Sequence, residues 1–146
     1  MKTLTPTLYD IDFNLWIEQT VNQLKKGNLK DLDVENLVEE IESMGRSDKR
    51  EIYSRLKMLL INLLQWQYQP SKKTRSWIAT INEQRTQINL ILKDSPSLKP
   101  YLRDNWEDCY QDARIDAATE TFLALETFPW ECPFTPDQIL TPGFIP

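Results

Sequence analysis

The segment Leu56–Trp66 constrains the fold most, because eight of its eleven residues are apolar. The chain around it, from Ser47 to about Tyr68, has the spacing of an α-helix, and Pro70 ends it. A helix that is apolar nearly all round must be enclosed by other elements. We therefore expect a central, buried helix here, in which the amides of Asn62 and Gln65 find hydrogen-bond partners.

Apolar residues with helical spacing predict four further helices, and alternating strand patterns are nearly absent. Two apolar stripes are expected to face inward: Phe13, Trp16, Ile17, Val21 and Leu24 on the first helix, and Val34, Leu37, Val38 and Ile41 on the second. The caps and breakers set the bounds of all five helices. These are Asp10 or Asp12 to Gly27, Asp33 to Gly45, Ser47 to Tyr68, about Thr74 to Lys93, and Leu98 or Tyr101 to Phe122.

Beyond residue 127 the chain is rich in proline and aromatic residues. Within it, Thr135-Pro136-Asp137-Gln138 is a capping box, which predicts a short helix. Phe128, Trp130, Phe134 and Phe144 suggest that this tail packs across the bundle. The fold class is therefore all-α: one domain over residues 1–146, a compact bundle of about five helices with a proline-rich, aromatic C-terminal tail (128–146) packed on it.

The composition excludes several kinds of chemistry. Histidine is absent, so Ser-His-Asp triads, imidazole-ligated zinc sites and HExxH metalloproteases are impossible. Gly27, Gly45 and Gly143 are the only glycines, too few and too scattered for a GxGxxG or Walker loop, and we expect no cofactor. The chain shows no secretion signal, no stretch able to span a bilayer and no CxxC pair, since Cys109 and Cys132 lie far apart. We expect a cytoplasmic protein that does not contact membranes.

Charge is unevenly distributed along an acidic chain whose formal net charge is -5. The formal charge is -5 over residues 1–45, +7 over residues 46–93 and -7 over residues 94–146. Either the basic middle pairs internally with the acidic ends, which is the default for one compact domain, or it presents a cationic surface to an anionic partner.

The basic, aromatic edge at residues 65–77 is the first candidate site. It interleaves rings with cations, as nucleic-acid surfaces do when they stack bases and neutralise phosphates. The alternative is that Trp66 and Trp77 pack the third helix against the fourth, while the lysines only solvate a loop. The candidate binding residues are Trp66, Tyr68, Lys72, Lys73, Arg75 and Trp77.

A second cationic candidate is Arg46, Lys49 and Arg50, at the predicted start of the third helix. Free backbone N–H groups and three cations at a helix start could hold a phosphate. The alternative is neutralisation by Glu39, Glu40 and Glu42 across the predicted turn, which lie close enough to pair.

Carboxylates give a metal alternative. Glu39 and Glu42 share one helix face, as in ExxE sites for Mg²⁺, although residues 52–82 contain no acidic residue to complete such a site. Asp108 and Asp112 belong to a ladder in which every fourth residue is acidic. Repulsion along this ladder favours pairing with basic side chains of the third and fourth helices. The ladder consists of Asp104, Asp108, Asp112, Asp116 and Glu120, and its candidate partners are Arg55, Lys57, Arg75 and Arg85.

Several ordered motifs resemble the domain-of-unknown-function family numbered twenty-nine, a family abundant in cyanobacteria. They are NLVEEIESMGRSDKR (Asn36 to Arg50), LLQWQYQP (Leu63 to Pro70), SW (Ser76, Trp77), EQR (Glu83 to Arg85), SPSLKPYL (Ser95 to Leu102) and CPFTPDQIL (Cys132 to Leu140). The resemblance covers nearly the whole chain and implies a compact α-helical bundle with no assigned activity or catalytic residues. Members often carry a histidine where this chain has Asn62.

These features favour a binding or interaction module over an enzyme. Its partner would be another protein or a second copy of the chain, since five tryptophans exceed what a small core needs. Two alternatives remain open. One is a Mg²⁺-dependent nucleotide or phosphate hydrolase that uses Glu39, Glu42, Asp108 and Asp112, and the other is a nucleic-acid-binding or antitoxin-like regulator that uses the edge at residues 65–77.

Overall fold

The structure is a computed structural model that describes residues 7–69, Ser71 and residues 74–146. The described residues form helices and contain no β-strand, which confirms the all-α fold class. None of the described helices combines the length and apolarity needed to cross a membrane. The helices are α1 (Leu8–Ile11), α2 (Phe13–Lys25), α3 (Val34–Tyr68), α4 (Arg75–Asp94), α5 (Lys99–Asp104), α6 (Trp106–Thr121) and α7 (Pro136–Leu140), with 3-10 turns at Pro96–Leu98 and Leu125–Thr127.

The chain divides into two compact units, Met1–Arg46 and Ser47–Pro146, and the boundary falls within α3. The predicted break at Gly45 is wrong, because α3 is continuous over 35 residues and Ser47 caps nothing. Glycine inside a helix costs only about 1 kcal/mol, which its neighbours can offset. Across this glycine, Arg46 reaches back to Glu39 (2.9 Å) and Glu42 (3.8 Å). The prediction of one domain over residues 1–146 stays a prediction.

The caps of the first unit follow the sequence signals. The Asp12 side chain accepts a hydrogen bond from the Leu15 backbone N–H at 3.0 Å, which starts α2. Gly27 has a φ of +70° and follows the last turn, where its N–H bonds to the Leu24 carbonyl and the next N–H bonds to the Gln23 carbonyl. This is the Schellman arrangement, in which glycine carries no Cβ penalty, so the predicted end of the helix is confirmed. Asp33 caps α3 as predicted, accepting from the Asn36 N–H at 3.3 Å.

Hydrogen bonds connect α1 and α2 of the first unit with the beginning of α3. The Trp16 indole donates to Asp33 at 3.2 Å, and the Tyr9 hydroxyl donates to Glu40. Trp16 is only 5% exposed, so the prediction that it faces inward is confirmed. For most of the remaining stripe the prediction is wrong, because the other apolar side chains are largely exposed. These are Phe13, Ile17, Val21, Leu24, Val34, Val38 and Ile41.

The second unit is built around the C-terminal half of α3, as expected. Leu56, Leu59, Leu60 and Leu63 are fully buried against α4, α6 and the tail. The two amides inside this helix differ from each other. Gln65 donates to Glu120 at 2.6 Å, which confirms the expectation for that residue.

Asn62 departs from the expectation, because its side-chain nitrogen is buried and has no hydrogen-bond partner among the described residues. Asn62 is 7% exposed and lies within the buried half of α3.

The predicted fifth helix is interrupted at Asn105, which lies between α5 and α6. Its side-chain nitrogen donates to the Tyr101 carbonyl at 2.8 Å, a local bond that competes with regular helix geometry. The tail packs on the second unit as predicted, with Phe128, Phe134 and Ile139 buried and the Thr135 capping box present. Trp130 is the exception, because its ring is 70% exposed.

Candidate functional site

The aromatic side chains of the edge at residues 65–77 are used for packing. Trp66 is only 9% exposed, and its ring lies 6.3 Å from that of Trp77. Tyr68 meets Phe128 edge to face at 5.6 Å, and burial raises the pKa of its hydroxyl. These rings join helices α3 and α4 and the tail, so they present little free surface for stacking bases.

The cations of that edge are only partly described. Arg75 is exposed at the first position of α4, where Thr74 caps the helix by accepting from the Trp77 N–H at 3.2 Å. Lys72 and Lys73 lie outside the described residues. Their predicted role in phosphate binding stays a prediction.

The cluster of Arg46, Lys49 and Arg50 does not lie at a helix start. All three residues lie within α3, so their backbone N–H groups are engaged in the helix and none is free for a phosphate. Arg46 is paired with Glu39 and Glu42, and the Lys49 ammonium lies 5.8 Å from the centre of the Tyr101 ring. Pairing with nearby acids, the alternative given for this cluster, therefore accounts for Arg46.

The acidic ladder on α6 pairs with α3. The Tyr53 hydroxyl donates to Asp112, Lys57 meets Asp116 at 3.1 Å, and Gln65 donates to Glu120. The predicted pairing with a basic side chain is confirmed at Asp116, and two further acidic residues of the ladder accept hydrogen bonds from neutral side chains of α3. Of the four predicted basic partners only Lys57 takes part, because tyrosine and glutamine supply the other donors.

The electrostatics of the ladder follow from this pairing. Hydrogen bonding to Asp116 raises the pKa of Lys57. The pKa of Tyr53 is raised by burial first and by its bond to Asp112 second. Asp112 is engaged by Tyr53, and Asp108 is exposed on the same helix. The described residues contain no group of three side chains placed to hold a metal ion.

Two arginines that the sequence analysis did not assign to the tail hold it in place. Arg85 on α4 donates to the backbone carbonyls of Ile139 (2.6 Å) and Phe144 (2.5 Å). Arg114 on α6 donates to the Phe128 carbonyl at 2.9 Å and lies against the Trp130 ring. Arg85 had been expected to pair with the acidic ladder, and that expectation is wrong. The last turn of the short helix α7 and the irregular parts of the tail leave carbonyls without backbone partners, which is the one sequence signal that points to such donors.

The first unit exposes several apolar side chains at helical spacing, and these define its apolar face: Ile17, Val21, Leu24, Val34, Val38 and Ile41. Their side chains are between 41% and 60% exposed. On both helices each member directly follows a less exposed residue: Trp16, Thr20 and Gln23 on α2, and Asp33, Leu37 and Glu40 at the start of α3. Successive members on each helix are three or four residues apart, so each helix carries one exposed apolar stripe.

Acidic side chains border this apolar face. Glu35 and Glu42 are seven residues apart and share one flank of α3, beside the stripe of Val34, Val38 and Ile41. Residues 7–46 carry nine acidic and four basic side chains. The surface thus combines an apolar strip with an anionic border.

Together the structure describes an all-helical protein with a clamped tail and an open apolar face on its first two long helices. A family model for the domain of unknown function DUF29 matches residues 8–145. The chain therefore belongs to this family, as its motifs suggested. Comparison with curated proteins and with solved structures finds no significant match.

Proposed function

We propose that the chain is a protein-interaction module whose docking surface is the apolar face of the first unit. The observation that carries the proposal is the exposure of six aliphatic side chains in two helical stripes, three on α2 and three on α3. Apolar surface of this kind, bordered by polar residues, is typical of a protein–protein contact. A partner helix laid along such a stripe would bury it as in a helical bundle.

The partner is a protein that offers an amphipathic helix with lysine or arginine beside its apolar stripe. The charge of the first unit supports this choice, because residues 7–46 carry nine acidic and four basic side chains. A second copy of the chain fits less well, since it would bring the same acidic border to the contact and the borders would repel.

A pair of synthetic peptides tests this proposal directly. One is an amphipathic peptide of about 18 residues, with leucine at i, i+4 and i+7 and lysine on both flanks, and the other replaces the lysines by glutamates. Fluorescence anisotropy of labelled peptide against the full chain gives the Kd of each. We expect saturable binding of the lysine peptide and at least about tenfold weaker binding of the glutamate peptide.

Ile41→Glu is the informative variant, because its side chain is 60% exposed and the substitution should leave the fold intact. Burying an isoleucine side chain contributes about 1.5–3 kcal/mol, so we expect the Kd for the lysine peptide to rise about tenfold or more. Ile115→Glu is the matched control, since Ile115 is 53% exposed on α6 of the second unit. Equal effects of the two substitutions would overturn the assignment of the surface.

Light scattering distinguishes a monomer, which is expected if the partner is another protein, from a dimer of two copies of the chain. We expect the mass of a single 17.3 kDa chain at micromolar concentration. A dimer that Ile41→Glu converts to a monomer would instead assign the apolar face to self-association and overturn the choice of a basic partner. The hydrolase and nucleic-acid alternatives stay predictions.

A further inference from the structure

A second surface feature, independent of the proposed docking face, is a cavity in the second unit. It has a volume of about 370 Å³ and opens between the end of α4, helix α5 and the short helix α7. Cavities of roughly 300–1,000 Å³ are the size that takes small molecules. Apolar side chains form its floor: Leu92 and Leu102 are buried, and Leu140 is half-buried.

Three cations line the cavity above this floor. Lys93 lies in the last turn of α4, whereas Lys99 and Arg103 lie four residues apart and therefore on the same face of α5. All three are exposed, and none forms an ion pair within the part of the chain that the structure describes. Asp137 is the carboxylate among the lining residues, and it also has no ion-pair partner there.

The charge of this lining differs from that of the chain as a whole. Three cations against one carboxylate leave a local charge of +2 in a protein with a formal net charge of -5. The lining amide does not reduce this charge, because Asn89 is neutral and already donates to the Leu140 carbonyl at 3.0 Å. A doubly negative group placed among the cations would balance the lining.

We propose that this cavity binds a small phosphate monoester with an apolar body. A phosphate monoester is close to a dianion at neutral pH and accepts charge-assisted hydrogen bonds from a guanidinium fork and from ammonium groups. Its apolar body would cover the exposed part of the Leu140 side chain, which inorganic phosphate alone leaves in contact with water. The combination of a cationic rim and an apolar floor therefore selects an organic phosphate over a bare anion.

Titration of the isotope-labelled full chain with phenyl phosphate, followed by amide NMR, tests this proposal. We expect saturable shifts at residues around the cavity. Three control ligands each lack one feature of phenyl phosphate. Inorganic phosphate has no ring, benzyl alcohol has no charge, and benzoate has a ring but only one negative charge. Each of these should bind at least about tenfold more weakly than phenyl phosphate. Shifts that rise linearly to 10 mM, or equal affinity for phenyl phosphate and inorganic phosphate, would overturn the proposal.

Variants at exposed positions keep the test independent of folding. Arg103→Gln should raise the Kd for phenyl phosphate about tenfold, because it removes a charge-assisted donor. Lys99→Gln should weaken binding in the same direction. Arg50→Gln is the matched control, since Arg50 is an exposed arginine on α3 that does not line the cavity. A Kd that changes equally in Arg103→Gln and Arg50→Gln would reduce the effect to the net charge of the chain and refute the site.

Discussion

Arg85 offers the sharpest test of how the C-terminal tail is held. Its side chain is only 2% exposed and makes three hydrogen bonds, two of them to the tail carbonyls of Ile139 and Phe144 and one to Asn82 at 3.1 Å. Arg85→Met keeps the length and most of the volume of the side chain but removes all the donors. Ile139 is fully buried, so its carbonyl would lose its partner without easy access to water.

The size of the effect follows from these contacts. A hydrogen bond that involves a charged group contributes about 1.5–3 kcal/mol, so the two bonds to the tail sum to roughly 3–6 kcal/mol. Burial of the guanidinium offsets part of this sum, as the lowered pKa of Arg85 indicates. The methionine also recovers apolar contact. We therefore expect Arg85→Met to lower the free energy of unfolding by about 2–4 kcal/mol.

Urea unfolding followed by tryptophan fluorescence measures this change, and hydrogen exchange of residues 136–146 locates it. Arg85→Lys should recover only part of the loss, because one ammonium cannot reproduce the fork that reaches both carbonyls. Arg50→Met, at an exposed position, is the control and should be nearly neutral. A loss below about 0.5 kcal/mol in Arg85→Met, or full rescue by lysine, would refute the clamp.

Three further predictions follow from single positions. Gly45→Ala should stabilise α3 by about 0.5–1 kcal/mol, because a Cβ there meets no atom within 4 Å, and a lowered Tm would show that the helix needs its glycine. Asn62→Leu should raise the free energy of unfolding by about 1–2 kcal/mol by removing an unsatisfied buried amide, and a loss of stability would mean that the amide has a partner. Burial raises the pKa of Cys109 to about 12 and of Cys132 to about 11, so iodoacetamide at pH 8 should alkylate neither thiol in the native chain and both in urea. Rapid alkylation of the native chain would contradict the burial of these thiols.

Residues that cap or end a helix were predicted correctly from the sequence. Asp12, Gly27, Asp33 and Thr135 each act within three or four residues of their own position, through a side-chain acceptor or a positive φ. Such features depend little on the rest of the fold, so they can be read directly from the chain.

The predicted helix bounds are wrong where a local sequence signal disagrees with the helical pattern of the longer segment around it. Gly45, with Ser47 two residues further on, suggests a helix end and a new start, but α3 continues through both, and Arg46 pairs with the preceding turns. At Asn105 the opposite happens, because a local amide bond to Tyr101 interrupts a helix whose periodicity continues past it. In both places the residue types alone do not show whether the helix ends or continues.

The candidate sites were harder to predict than the helices, because periodicity identifies a stripe without saying what covers it. Val38 and Leu56 both lie on apolar stripes of α3, yet Val38 is 46% exposed and Leu56 is fully buried. The cavity between α4, α5 and α7 depends on residues from distant parts of the sequence, such as Lys93 and Asp137, which no local pattern connects.

The contrast between the two halves of α3 supports docking at its first half. The apolar side chains in the second half of α3 are buried because α4, α6 and the tail pack against them. In the first unit α2 engages one side of α3 through Trp16 and Asp33 and leaves the next stripe, beginning at Val34, in water. Half-exposed valine and isoleucine side chains contribute only part of the stability that full burial would give. Their grouping in a stripe on each of two helices is accounted for if a basic, amphipathic partner helix completes the packing, and the paired peptides and Ile41→Glu test that step directly.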